Sequence, residues 1–512
     1  MFDLNPAIGP IGLPYSLNPL LGRKPIRNAD DLLLLEQEVY PAYALLGDGI
    51  IAQEIRKAHE DGAFVDKAVQ TARNGSSLPL VHKGWKETSV ILKGGSRLVI
   101  KTPYLREDHS GKPGPGRSKR GKKGTGIYPV LEALGIRDGV SPATRSEVAL
   151  YVVQAASYQE TADMLARMGL ECDISTLVRI ANVTARAGIS LRDAALEAAR
   201  SIPVPTDGPL AGKRVRVSLD GGKVRTRINR RGRRTRNGRH RFRTQWREPR
   251  VLVIEILDEE GRRDPLRLSL YDGLIGNADT IFSLMIGYLR LLGAAHAEVV
   301  EFVCDGADWI WDRVERLVTE AEIPREKLVE ALDFYHGSEY LAETLKSCPN
   351  LDDKQRSALF QNLRHVLRHD PRGVALVIEE LKKLAGINPS GEMATRIAYF
   401  DRNAHRMRYA ILDEMKLSVG SGCVESCIRR TLNLRFKSPG SLWDEKTVGG
   451  LIHLRAYFKA GRWDELIGYI LNGKFQIPSF DIIQSNKSSH TTTNTDPCVS
   501  ADDYLQEQAM QI

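Results

Sequence analysis

Residues 214–222 read RVRVSLDGG. Val215, Val217 and Leu219 alternate with polar residues, the period of a strand with two unlike faces, and an aspartate stands where the run ends. Downstream, PRVLVIEILDEEGRRDPLRLSLYDG (residues 249–273) adds two more strand patterns with DEEG as the turn between them. A helical pattern over 278–292 follows, then the strand EVVEFVCD, the helix WIWDRVERLVTEA, the strand KLVEALDFYH and a further helix starting near Ser338. The order β-β-β-α-β-α-β-α predicts an α/β fold. A three-strand meander runs into βαβ crossovers, giving a mixed sheet with helices on its faces.

This topology decides which acids matter. Asp-Gly occurs seven times and by itself marks a turn. Asp220 and Asp305 stand apart because each ends a strand, and the order makes those strands parallel neighbours, with both carboxylates at the edge where α/β sheets place ligands. Asp272 also ends a strand of the same direction. It lies two strands from Asp220, about 10 Å away at ~4.8 Å per strand, too far for ions held ~3.5 to 4 Å apart. Glu425, in VGSGCVESCIRRTLNLRFK, supplies a third carboxylate. It sits in the first turn of a helix, beside the stripe of Val424, Ile428 and Leu432. A helix-dipole contact or an i,i+4 salt bridge to Arg429 would explain it equally.

Between residues 213 and 250 there are 16 Lys and Arg against two acids, Asp220 and Glu248. The run from 223 to 243 carries Lys223, Arg225, Arg227, Arg230, Arg231, Arg233, Arg234, Arg236, Arg239, Arg241 and Arg243 with no acid among them. Such clustering is the footprint of a phosphate-bearing partner, although a solvated loop has the same composition. The expectation is an unstructured, self-repelling loop between the first two strands. The whole chain, 512 residues with 73 Lys and Arg against 64 Asp and Glu, has a formal charge of +9 and favours polyanions. Six scattered cysteines without a CxxC pair indicate neither a disulfide framework nor a zinc ribbon and fit a reducing cytoplasm. No export signal or membrane span is expected.

Working outward, the pattern divides into a helical region over 1–78 interrupted at GDG (47–49), a small β-rich patch over 79–106 and a basic flexible linker over 107–126. In 127–205, SYQETADMLARMGLECDISTLVRIA has helix-turn-helix proportions. Its second helix opens near Ser175, so Ser175, Thr176 and Arg179 are candidates for base contacts, although helix pairs joined by glycine are common. The sheet occupies 206–350 and 419–472, and an all-helical insertion lies between them at 351–418. Residues 473–512 have the composition of a disordered tail.

SLDGG, CDGADWIW, DFYH, GSGCVES and RFKSPGSLW, in this order, resemble bacterial insertion-sequence transposases of the DDE class over roughly residues 141–470. The resemblance implies an RNase H-like core with a helical insertion before the last acid, and Asp220, Asp305 and Glu425 as ligands of two Mg²⁺ ions that Mn²⁺ can replace. It also implies double-stranded DNA as partner, both terminal inverted repeats and target, with a homodimer or larger assembly on the DNA. Asp333 and His336 of DFYH match a D-x-x-H signature near the site. Arg435, Lys437 and Trp443 follow the last acid, where a cation and an aromatic suit a phosphate or a flipped base; an indole buried in the core is the other reading of Trp443. Several such enzymes carry a cysteine zinc unit before the helix-turn-helix. Here no cysteine precedes Cys172, so end recognition requires another surface.

Overall fold

The computed structural model describes residues 26–108, 126–236, 238, 240–348, 351–386, 389–438 and 441–482. They fall into two compact units, 1–184 and 185–512. In the first, α1 (Ala29–Glu60) and α2 (Gly62–Asn74) precede the antiparallel pair β1 (Leu80–Ile91) and β2 (Arg97–Glu107), to which β3 (Gly126–Ile127) adds a short third strand. The short α3 (Pro129–Ala133) leads to α4 (Pro142–Gln154), α5 (Tyr158–Arg167) and α6 (Ile174–Ala199), the last extending past residue 184. Ala52, Ile55, Val90, Leu92, Leu98, Ile100, Leu131 and Ile136 form the unit's core.

The expected break at GDG does not occur, because α1 runs through it. Asp48 is buried and its two carboxylate oxygens accept from the backbone amides of Gly94 and Ser96, each at 2.9 Å. The acid that reads as a turn former holds the turn of another segment. The basic linker falls almost wholly on residues 109–125, outside the described residues.

The second unit is built on a five-stranded sheet of β4 (Arg214–Gly221), β7 (Pro249–Leu257), β8 (Leu270–Ile275), β9 (Val299–Cys304) and β10 (Leu328–Leu332). Its spatial order is β10-β9-β4-β7-β8. β4, β7 and β8 form the antiparallel meander, and β9 and β10 join on the far side of β4 in parallel. The expected mixed sheet is therefore observed. Val217 and Phe302 are paired in register on one face, where Phe302 meets Phe282 of α7 (Ala278–Leu291) edge-on at 6.3 Å. After β9 come α8 (Asp308–Trp311) and α9 (Val314–Ala321).

Three local expectations fail for physical reasons. The arginine-rich segment is not a loop throughout: its ends pair as a hairpin, β5 (Val224–Asn229) with β6 (Phe242–Arg247), while the described residues of 230–241 between them form no helix or strand. Val224 and Thr226 are buried on one side of β5, so an apolar-facing alternation anchors a strand despite its charge. The strand expected through DFYH stops at Leu332. Asp333 instead caps α10 (Phe334–Lys346), accepting from the His336 amide at 2.8 Å. Nor does the ordered chain end at 472. Phe480 is buried, its carbonyl accepts from the Leu268 amide at 2.7 Å, and the Arg462 guanidinium lies 5.2 Å from its ring. Residues 483–512 lie outside the described residues.

Between Leu351 and Val419 the described residues form helices without strands: α11 (Asp353–His369), α12 (Gly373–Ala385), α13 (Gly391–Asn403) and α14 (Tyr409–Glu414). The chain returns to the sheet as α15 (Gly422–Ile428), passes through a π turn over Arg429–Asn433 and the single turn α16 (Leu434–Phe436), and reaches β11 (Trp443–Asp444) beside β5. α17 (Glu445–Lys459) and α18 (Trp463–Asn472) complete the unit. Among the described residues no helix is long and apolar enough to cross a membrane.

Candidate active site

The β4–β9 register runs from Arg214 opposite Val299 to Val217 opposite Phe302. Carried forward three residues, it sets Asp220 opposite Asp305, both half-buried where the strands end. The Asp305 loop is held by its own chain: one carboxylate oxygen accepts from the Ala307 amide at 3.0 Å, and its carbonyl from the Trp311 indole at 2.8 Å. Gly306 has no room for a side chain, since a Cβ there would lie 2.0 Å from the Tyr399 hydroxyl oxygen. The helical insertion thus meets the carboxylate edge at Tyr399 of α13.

Burial pushes Asp220 up to about 6. Asp305 and Glu425 add to the rise, while the Gly221 amide and His336 oppose it. Much of the Glu425 side chain is open to solvent, yet partial burial and the neighbouring Asp333 raise its carboxyl as well. No ion pair joins it to Arg429 among the described residues, and the helix changes to a π turn at that arginine. Glu425, Asp333 and His336 form a tight group, one ligand atom of each lying within 4.8 Å of the others. The Asp333 carboxylate, 3.6 Å from His336 Nδ1, pushes that imidazole up to about 9, with help from Asp305 and Glu339. Burial works against the Asp333 charge, but His336 and the Ser421 amide outweigh it and hold the carboxyl below its ordinary value.

The structure therefore gathers Asp220, Asp305, Asp333, His336, Glu339 and Glu425 around one edge of the sheet. Glu339 carried no sequence signal, and neither did Tyr399. Asp272 is elsewhere and occupied: fully buried, it accepts from Arg192 and Tyr288 at 2.8 Å each and meets His453 Nδ1 at 3.1 Å. Burial works against its charge, but Arg192, His453 and the Tyr288 hydroxyl together outweigh it and hold the carboxyl well below the usual range.

Arg435 and Trp443 pack on each other. Both are buried, the guanidinium 4.5 Å from the indole ring and Phe436 edge-on to it at 5.2 Å, so the core reading of the indole holds. Lys437 is exposed and lines a cleft beside the hairpin. Of the hairpin cations, Lys223, Arg225, Arg227, Arg230, Arg231, Arg233, Arg234, Arg236, Arg241 and Arg243 are all exposed, and Arg239 lies outside the described residues. In the first unit, Ser175 and Thr176 donate to the Asp173 carboxylate at the start of α6, and Arg179 donates to the Asp138 carbonyl at 2.8 Å. All three make local bonds within their own unit, while Ser175 and Arg179 remain exposed.

Beneath the carboxylate edge the sheet face that carries Asp220 also carries Arg216 and Ser218. Cys423 of α15 donates to the Ser218 hydroxyl, so this face is covered. Glu255 and Glu301 pair with Arg216 in register from either side. Glu255 takes the ion pair at 2.6 Å, whereas the buried Glu301 has no ion pair among the described residues, and the Ser418 amide approaches its carboxylate without completing a hydrogen bond.

At this edge Asp220 is raised mainly by burial, with Asp305 and Glu425 adding to the rise, and a cation close by would favour its charged form. His336, pushed up to about 9 by Asp333, belongs with Asp333 and Glu425 to the one cluster among the described residues whose ligand atoms lie close enough together to hold a metal ion. The chain matches no family model and no curated protein.

Proposed function

We propose that the chain is a metal-dependent DNA strand-transfer enzyme, an insertion-sequence transposase of the DDE class with an RNase H-like core. The observation that carries this reading is the position of Asp220 and Asp305 at the ends of adjacent parallel strands, with the helix of Glu425 packed against the same face. The strand order, third-second-first-fourth-fifth, and the helical segment before the last acid support the RNase H-like assignment.

Asp220, Asp305 and Glu425 would hold two Mg²⁺ ions, with Mn²⁺ as substitute. The ions would supply activation of a water or 3′-hydroxyl and stabilisation of the departing oxygen. The chain's own groups do the rest. Protonated His336 offers a donor to a non-bridging phosphate oxygen, and Asp333 fixes the ring and the start of α15 at once. The exposed hairpin cations hold the backbone of duplex DNA, terminal repeat or target, without reading its sequence. Ser175, Thr176 and Arg179 of the helix pair, of which Ser175 and Arg179 are exposed, are the candidates for reading the element ends. Work at two element ends calls for a homodimer or larger assembly, in the bacterial cytoplasm.

Asp220→Asn, Asp305→Asn and Glu425→Gln test the reading, because amides keep the shape but bind Mg²⁺ poorly. Each should abolish both cleavage and joining of element-end DNA while duplex affinity stays within a few-fold. Wild-type cleavage in either aspartate variant places the chemistry elsewhere. Cleavage without joining in the unmodified protein makes it a nuclease.

A further inference from the structure

The hairpin has a second face that phosphate binding alone does not explain. Alternation along β5 buries Val224 and Thr226 and leaves Arg225 and Arg227 in solvent. Across the ladder Arg225 is paired with Trp246, and Asn229 with Phe242. Trp246 is 65% exposed and Phe242 43%. Two large aromatics stand open on a strand pair whose neighbouring positions are arginines.

Below this face lies a cleft of about 1110 Å³ lined by Lys223, Arg225, Trp246, Arg250, Phe436 and Lys437 among others. Two cations here are already used. Arg247 pairs with Glu445 at 2.7 Å, and Arg250 donates to the Gly276 carbonyl and covers the Trp309 ring. Lys223, Arg225 and Lys437 have no side-chain hydrogen-bond or ion-pair partner among the described residues. Lys223 is three residues beyond Asp220, so the cleft opens within about 11 Å of chain from the carboxylate edge.

We propose that this face and cleft bind unpaired nucleotides of a DNA strand, a base stacking on Trp246 while Lys223, Arg225 and Lys437 take the adjoining phosphates. The proposal rests on the reading of the site as one that acts on DNA. Charge selects a polyanion, and the aromatics select among polyanions. A duplex offers base edges in its grooves but keeps base faces stacked inside, so an exposed indole adds little there; an unpaired nucleotide offers the face itself. Arginine at the cross-strand position adds a planar cation beside the same base.

The test is binding of labelled oligothymidylate and of a duplex of equal length to the full chain, read by anisotropy. Trp246→Ala should weaken single-strand binding roughly 5- to 150-fold, the loss of one stacked base, and leave duplex binding within about twofold. Trp246→Phe should restore most of the loss, and Lys223→Gln with Arg225→Gln and Lys437→Gln should flatten the salt dependence of single-strand binding. Unchanged single-strand binding in Trp246→Ala, or an equal loss for both DNAs, overturns the proposal. Asp220→Asn separates the two readings. If it still cleaves, the active-site assignment falls while the stacking result stands; if Trp246→Ala has no effect, the reverse holds.

Discussion

Asp333 accepts a hydrogen bond from the backbone amide of Ser421, 88 residues further along the chain. Its other oxygen caps α10 through the His336 amide. One buried carboxylate therefore ties the end of β10 to the segment that opens the Glu425 helix, and fixes the histidine beside it. Replacing it with asparagine keeps an acceptor but removes the charge that sustains the His336 proton. In Asp333→Asn the His336 resonance, followed by NMR, should titrate at least one pH unit below about 9. Asp333→Ala should in addition lower thermal stability by about 1 kcal/mol or more, the usual worth of a lost cap. An unshifted His336 titration in the asparagine variant would assign its raised basicity to another neighbour.

Gly306 and Tyr399 make a second coupled pair. A methyl at 306 would meet the tyrosine oxygen at 2.0 Å and the ring carbons Cζ and Cε2 at 2.8 and 3.0 Å, so the ring or the Asp305 loop must move. Gly306→Ala should cost about 1 to 3 kcal/mol, typical of overpacking, and should reduce cleavage by displacing Asp305. Tyr399→Phe on that background removes the worst contact but not the ring, and should recover part of the stability. Additive losses in the double-mutant cycle would show that the two residues do not meet.

The parts of this architecture legible in sequence are those that depend on local period and strand order. Asp220 and Asp305 could be paired from the alternation of RVRVSLD and the crossover that follows. Arg216 and Glu301 could not be placed, since a polar residue alternating with apolar ones reads as the solvent side. Here α15 covers that side, Cys423 reaching Ser218 from 205 residues further along the chain. Asp48 misled for a related reason: Asp-Gly signals a turn locally, whereas its carboxylate serves a turn 46 residues away. Arg435 and Trp443 carry the chemistry of a phosphate and base site, and only packing reveals that each is the other's partner. The hairpin did have a signal, the Val224–Thr226–Ile228 alternation, outweighed by the charge around it.

Glu301 gives the pH prediction. Burial pushes its carboxyl up to about 8, against the pull of Arg216 and the Ser418 backbone, because Glu255 has taken the Arg216 ion pair. In the unfolded chain the same group titrates near 4.5. Between these values the folded state holds a proton that the unfolded state has released. The contribution of Glu301 to stability is thus complete below pH 4.5 and is lost as pH rises through 8, at no more than about 1.4 kcal/mol per pH unit. Glu301→Gln keeps the neutral shape at every pH and removes this dependence. His336 and Asp220 also titrate across parts of the range, but they do so in both proteins, so the difference between the two stability curves isolates Glu301. Melting temperatures taken from pH 5 to 9 should coincide within a degree or so at the acid end. They should then diverge with the variant the more stable by a few degrees above pH 8. Curves that stay parallel over the whole range would mean that Glu301 is ionised in the fold and has found a partner for its charge.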